Sequence, residues 1–270
     1  MIIKKISRTT LFLLLGMGIC MGVFAQSQEQ RKNNSFWIDL STGIGGITCY
    51  DNGTIPYSYG GIAIPVGLGI TDEWRRCHIE FEGQFFRSFL LEPSGSNYGI
   101  DTRLEFLYSC LKPSESRWHF WSGVNIEGYG ELKSIPVLQN ASASFTAFGH
   151  IGAVEKLACD FGYTKDRAHH WMTAFFKLTL PIAGFASRPD FIYVHDPMNE
   201  PAVSSLITSN EKFFKLFPGA TTDLGLTLNL RNGNRISLFY SWDYLTTGKK
   251  GAYRYDNAYH TVNLSFMFKL

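Results

Sequence analysis

From Ser35 onward, apolar and polar residues alternate with a period of two rather than 3.6, the pattern of β-strands with two unlike faces. In segment 57–71, Ile62, Ile64, Val66, Leu68 and Ile70 share one face, and Ala63, Pro65, Gly67 and Gly69 share the other. Segment 75–90 sets Cys77, Ile79, Phe81 and Phe85 against His78, Glu80, Glu82 and Gln84. Segment 97–111 sets Ile100, Leu104, Phe106 and Tyr108 against Asp101, Arg103, Glu105 and Ser109. Later, Leu224, Leu226, Leu228 and Leu230 alternate with Asp223, Gly225, Thr227 and Asn229.

A soluble β-sandwich also alternates, so three further features decide the class. Many segments run to about 12–16 residues, against ~5–6 for ordinary strands and ~9–11 for a tilted membrane crossing. Short polar turns fall at Thr71–Trp74, Pro113–Ser116, Lys165–Arg167 and Asn232–Asn234. Longer connections lie between them, near 49–56, 91–96, 133–143, 186–217 and 247–257. An even count of about ten strands lets the first pair with the last and leaves no edge open. The pattern predicts an all-β fold, an antiparallel up-and-down transmembrane β-barrel.

The N-terminus changes the picture by adding an export signal. Lys4, Lys5 and Arg8 precede an apolar stretch from Leu11 to Phe24, and Val23-Phe24-Ala25 offers a cleavage site before Gln26. The stretch falls short of the ~20 residues of a spanning helix, and Ile19 is bulky where a lipoprotein signal ending at Cys20 wants a small residue. The division is therefore a signal peptide over 1–25, a short segment over 26–34 and the barrel over 35–270. No later run of about 18 apolar residues offers a transmembrane helix. A formal net charge of +2 in 270 residues, with 18% of them charged, gives no reason to expect a nucleic-acid partner.

The last strand, YHTVNLSFMFKL, alternates through His260, Val262, Leu264, Phe266 and Phe268 to Leu270. It resembles the terminal strand of bacterial single-chain outer-membrane β-barrels, the small porin-like or outer-membrane-protein-A-like class. It departs from the common form in ending on Leu270, where that class usually has phenylalanine. The resemblance implies a protein of the outer membrane of a diderm bacterium. Its partners would be outer-membrane lipids and the barrel-assembly machinery, met through the C-terminal strand.

Candidate chemistry sits in the lumen. A hairpin about Pro93-Ser94 makes residues whose numbers sum to 187 face each other, which sets Glu82 opposite Glu105 and Gln84 opposite Arg103. Glu80, His119, Asn125 and Glu127 point the same way, and Lys177 and Arg231 add positive charge from farther round. Opposed carboxylates repel unless a cation or shared proton compensates. The arrangement reads either as a proton- or ion-handling site or as an ion-pair ladder filling a narrow barrel, and the ladder is the plainer reading. The same register places Cys77 opposite Cys110, outward and near the inner end. They are either a disulfide or two lipid-facing thiols, while Cys49 and Cys159 have no evident partner.

The long segment from Ala186 to Pro218 carries Asp190, His195, Asp196 and Glu200. A short helix capped at Ser209-Asn210-Glu211 is expected to run through Phe213, Phe214, Leu216 and Phe217. With Glu131 near the end of an upward strand, these supply carboxylates and a histidine at the external rim, but no spacing identifies a hydrolase. His260 and Ser265 face opposite sides of one strand, and His169-His170 reads as turn. No catalytic set, metal site or cofactor emerges. Trp37, Tyr98, Trp118, Trp171, Trp242 and Tyr244 are candidates for the interfacial belts. The leading function is a non-enzymatic envelope barrel, with a narrow or plugged polar lumen and a long external loop that binds a partner, or with passage of small solutes. A rim-site hydrolase acting on lipid or peptide, or a barrel component of an envelope or secretion assembly, stands as the alternative.

Overall fold

The structure is a computed structural model that describes residues 34–52, 55–74, 76–92, 94–111, 117–137, 143–163, 170–188, 210–214, 218–247 and 254–270. The expected signal peptide, Asp190, His195, Asp196 and Glu200 lie outside the described residues.

Alternation produces strand nearly throughout. In chain order these are β1 (Asn34–Asp51), β2 (Ile55–Trp74), β3 (Cys77–Glu92), β4 (Gly95–Ser109), β5 (Trp118–Ser134), β6 (Ala143–Tyr163), β7 (His170–Arg188), β8 (Asn210–Phe214), β9 (Gly219–Asn229), β10 (Arg235–Thr246) and β11 (Tyr255–Lys269). Apart from β8 and β9, neighbours in sequence pair with each other, and β1 pairs antiparallel with β11 from Trp37↔Lys269 to Asp51↔Tyr255. Pairing of β6 with β7 completes the ring. Because β8 and β9 both pair with β7, they share one position, and the barrel has ten staves. Among the described residues only the short β8 pairs on a single side, and closure of the ten staves keeps the remaining backbone hydrogen bonds within the wall, which a hydrocarbon surrounding requires.

The break between β8 and β9 has a local cause. Gly152 pairs with Pro181 and Ile151 with Ala183, so Ile182 is an extra, bulged residue in β7. Pro181 has no N–H to give, and proline inside a sheet is confined to edges and bulges. On the other side of β7, pairing with β9 stops at Thr179↔Thr221 and pairing with β8 begins at Gly184↔Phe214. The helix expected from Ser209 is not formed: Asn210–Phe214 is strand β8, its backbone captured by the upper end of β7.

The predicted faces are the observed ones. Ile44, Val66, Leu68, Ile100, Leu224 and Leu238 are each more than half exposed, although they are large and apolar. A water-soluble protein would not present such a belt on every stave, whereas lipid accepts it. Tyr98, Trp118 and Trp171 are exposed on the outer surface, consistent with interfacial positions. Trp37 is not among them. It points inward at 3% exposure, donates from Nε1 to the Gly233 carbonyl at 3.1 Å, and lies under the Arg235 guanidinium.

Several connections differ from expectation. β2 continues through Thr71–Trp74, so the turn falls just after it. The connection between β3 and β4 is only two residues long, where a longer one was expected. The turn at Asn232-Gly233-Asn234 is present, with Gly233 at φ +85°, a conformation glycine adopts without steric cost.

Candidate functional site

With the end that carries both strand termini, Asn34 and Lys269, taken as the inner one, the lumen divides into three levels. The middle level holds the predicted polar cluster. Arg103 on β4 donates from Nε to Glu127 at 3.1 Å and from Nη2 to Asp101 at 3.2 Å, and stands 3.7 Å from Asp243. Lys177 on β7 joins Glu105 at 3.1 Å and Asp223 at 3.3 Å. His150 Nε2 lies 3.6 Å from Glu127, and Asn125, fully buried, donates to the same carboxylate. Glu80, Glu82, Gln84 and His119 line the same cavity, which has a volume of about 360 Å³.

The register within this cluster needs correction. β3 and β4 pair with residue numbers summing to 185, so Glu82 faces Arg103, Gln84 faces Asp101 and Glu80 faces Glu105. The slip is two residues, so every side chain keeps its predicted face while changing its partner. Two carboxylates do stand opposite each other, but they are Glu80 and Glu105, held by His78 and Lys177 respectively. Cys77 faces Tyr108 rather than Cys110, and Cys49, Cys77, Cys110 and Cys159 are all free thiols. Arg231 lies exposed beside the β9–β10 turn, away from the cluster.

At the inner level, His78 sits between Glu73 at 3.1 Å and Glu80 at 3.3 Å, and Arg235 reaches Glu73 at 3.2 Å. Across the lumen, Asp160 accepts from His119 at 2.7 Å and from Thr173 at 2.7 Å, with His170 at 3.4 Å. His170, expected in a turn, is the first residue of β7. Water reaches this level: the Glu73 side chain is 35% exposed and His170 36%.

The outer level is a cap. Glu131 accepts hydrogen bonds from Asn97 at 2.9 Å, Tyr129 at 2.8 Å and Lys133 at 2.8 Å, and also from the Tyr255 hydroxyl. Lys133 lies 3.6 Å from Asp51, which also pairs with Arg188, and 3.0 Å from the Cys49 sulfur. Lys133 and Arg188 both stack on Tyr255, Phe148 packs against its ring, and Tyr129, Phe86 and Tyr259 extend the aromatic group from there. The side chains of Asp51, Lys133 and Glu131 are at most 2% exposed. With its acceptor sites occupied, Glu131 is a poor general base, and the group is built to be stable rather than reactive. Apart from Glu131, these residues were not singled out from the sequence. Asn97 and Lys133 nevertheless continue the phase of the predicted lumen rows, and following each row to its end would have found them.

Among the described residues, no group of three or more His, Cys, Asp or Glu side chains is arranged to hold a metal ion. No protein-family model matches the chain, and no curated protein matches it. Solved structures do match. The outer membrane protease OmpT from Escherichia coli aligns with a TM-score of 0.52 at 9% identity, covering 87% of this chain and 97% of that one. The outer membrane protein OprG from Pseudomonas aeruginosa aligns with a TM-score of 0.36 at 10% identity, covering 88% and 97%. At such identities the likeness is one of fold. Ring closure, the apolar belt and this likeness together make the chain an outer-membrane β-barrel protein of a diderm bacterium.

Proposed function

We propose that this barrel is a non-enzymatic envelope protein whose lumen is closed to through-flow, a polar chamber below and a seal above. The observation that carries this reading is the cap. Asp51, Glu131, Lys133, Arg188 and Tyr255 come from β1, β5, β7 and β11 and meet in one fully packed group. A charged side chain leaves water only when its partners replace the lost hydration, and each charge here has at least one partner. A cluster satisfied in this way has no drive to open and admit a solute.

Planar-bilayer recording on the folded mature protein tests the reading. The wild type should show no steady conductance, and the double variant Glu131→Ala/Tyr255→Ala should show discrete channel steps. Steps from the wild type would overturn the closed lumen. Residues 1–25 would direct export, which N-terminal sequencing of the mature chain should show by a start at Gln26. The apolar row Val262–Phe268 on β11 would be the face read by the assembly machinery.

A further inference from the structure

We propose that the chamber below the cap is a binding site for a protonated amine carrying an apolar portion, held by Asp39 and Glu82. The proposal deepens the closed-lumen reading and rests on it only for the direction from which the ligand enters. Nine carboxylates line the chamber, against the four strong cations Arg103, Lys156, Lys177 and Arg235. Seven of the nine make an ion pair with one of these cations or with a histidine. Among the described residues, Asp39 and Glu82 alone of the nine make none. Asp39 accepts from Ser265 Oγ at 2.6 Å, and Glu82 from Ser41 Oγ at 3.4 Å, so both are held by neutral hydroxyls.

The wall between them is set back. β2 runs between β1, which carries Asp39, and β3, which carries Glu82, and presents Ala63, Pro65, Gly67 and Gly69 to the lumen. A Cβ on Gly67 would come within 2.3 Å of Ser41 Oγ and 3.2 Å of Glu82 Oε1, and one on Gly69 within 3.4 Å of the Asp39 Cβ. The glycines thus let both acids lie against the wall and leave the space in front of them open.

The hydrogen-bond census points independently to the same ligand chemistry. Asn263, 3% exposed, lines the chamber and stands beside the Ser41–Ser265 pair on β11, its Oδ1 without a donor. Asn257, 4% exposed, also lines the chamber with an unpartnered Oδ1, and so does Asp101 through its own Oδ1. All three atoms can only accept. The chamber is therefore short of donors as well as of positive charge, and an alkylammonium supplies both. Two residues beyond Gln84 on the inner face of β3, Phe86 stacks with Tyr129 at 5.6 Å and meets Tyr259 at 5.1 Å, an aromatic surface for the apolar portion.

The test is calorimetric titration of the detergent-folded mature protein with n-butylamine, against tetramethylammonium and Mg²⁺ as cations without N–H donors. The expected result is saturable binding of butylamine at one site. Binding should weaken at least tenfold in Asp39→Asn/Glu82→Gln, and tetramethylammonium should bind at least tenfold more weakly than butylamine. Each variant must keep the electrophoretic mobility shift on boiling that marks a folded barrel. If the double variant does not, Glu82→Gln alone carries the comparison. Absence of butylamine binding, equal binding of tetramethylammonium or Mg²⁺, or full retention in the variants would overturn the proposal. Wild-type conductance would overturn the closed lumen whatever the titration gives, so the two failures are distinguishable.

Discussion

At the outer end of the lumen, Asp51, Glu131 and Lys133 lie dry behind Tyr129, Phe148 and Tyr255. At the inner end, Glu73 and Arg235 make ion pairs of similar length while still partly in water, with His78 buried beside Glu73. The residue types overlap, yet the result is a seal in one place and a wet chamber in the other. The difference lies in the bulk around them. Tyr59, Leu90, Ile135 and Tyr255 fill the outer end, whereas Gly67, Gly69 and Ser41 leave the chamber open. Charge decides what the lumen attracts, and side-chain volume decides where it closes.

Three substitutions and one labelling experiment break or sharpen this contrast. Lys133→Met strands Glu131 in the dry cap and weakens the pairing of Asp51. It should cost about 3–5 kcal/mol, the usual loss when one partner of a buried pair is removed, read as a lower midpoint for urea unfolding in lipid. Tyr255→Phe deletes a single hydroxyl donor to Glu131, and the same assay should register about 1.5–3 kcal/mol, as for hydrogen bonds to charged groups. Lys156→Met removes a cation from the chamber rather than the cap, and a change below about 1 kcal/mol is expected because solvent screens it. A loss there as large as that of Lys133→Met would erase the distinction. The smallest effect is on thiols: Cys110 is exposed and Cys49 is buried. In the folded protein a maleimide should modify Cys110 and leave Cys49 untouched until denaturant is added, and equal rates would mean the cap is loose.

The sequence revealed faces more readily than partners. Alternation assigns Glu80, Glu82 and Gln84 inward and Phe81 and Phe85 outward, because period two is a property of each strand alone. Register depends on where the turn closes, and placing the β3–β4 turn one residue late moved Glu82 from Arg103 to Glu105 and brought Cys77 to Cys110. A two-residue slip keeps the faces, so no hydrophobic pattern could expose the error. The cap was less legible still. Asp51, Lys133 and Arg188 lie far apart in the chain, and only ring closure brings them together. At Asn210–Phe214 the apolar spacing suited a short helix, but an open edge of β7 offered backbone partners that local preference could not foresee.

The pairing of β1 with β11 joins the earliest strand to the latest. A chain emerging N-terminus first therefore holds one unsatisfied edge on β1 through the whole of its synthesis and export. Contacts this distant in sequence form late and slowly, and an exposed edge meanwhile is a template for wrong pairing. The final strand thus acts as a completeness check, since a chain truncated anywhere before it would lack the partner for β1 and leave a barrel wall with two free rims.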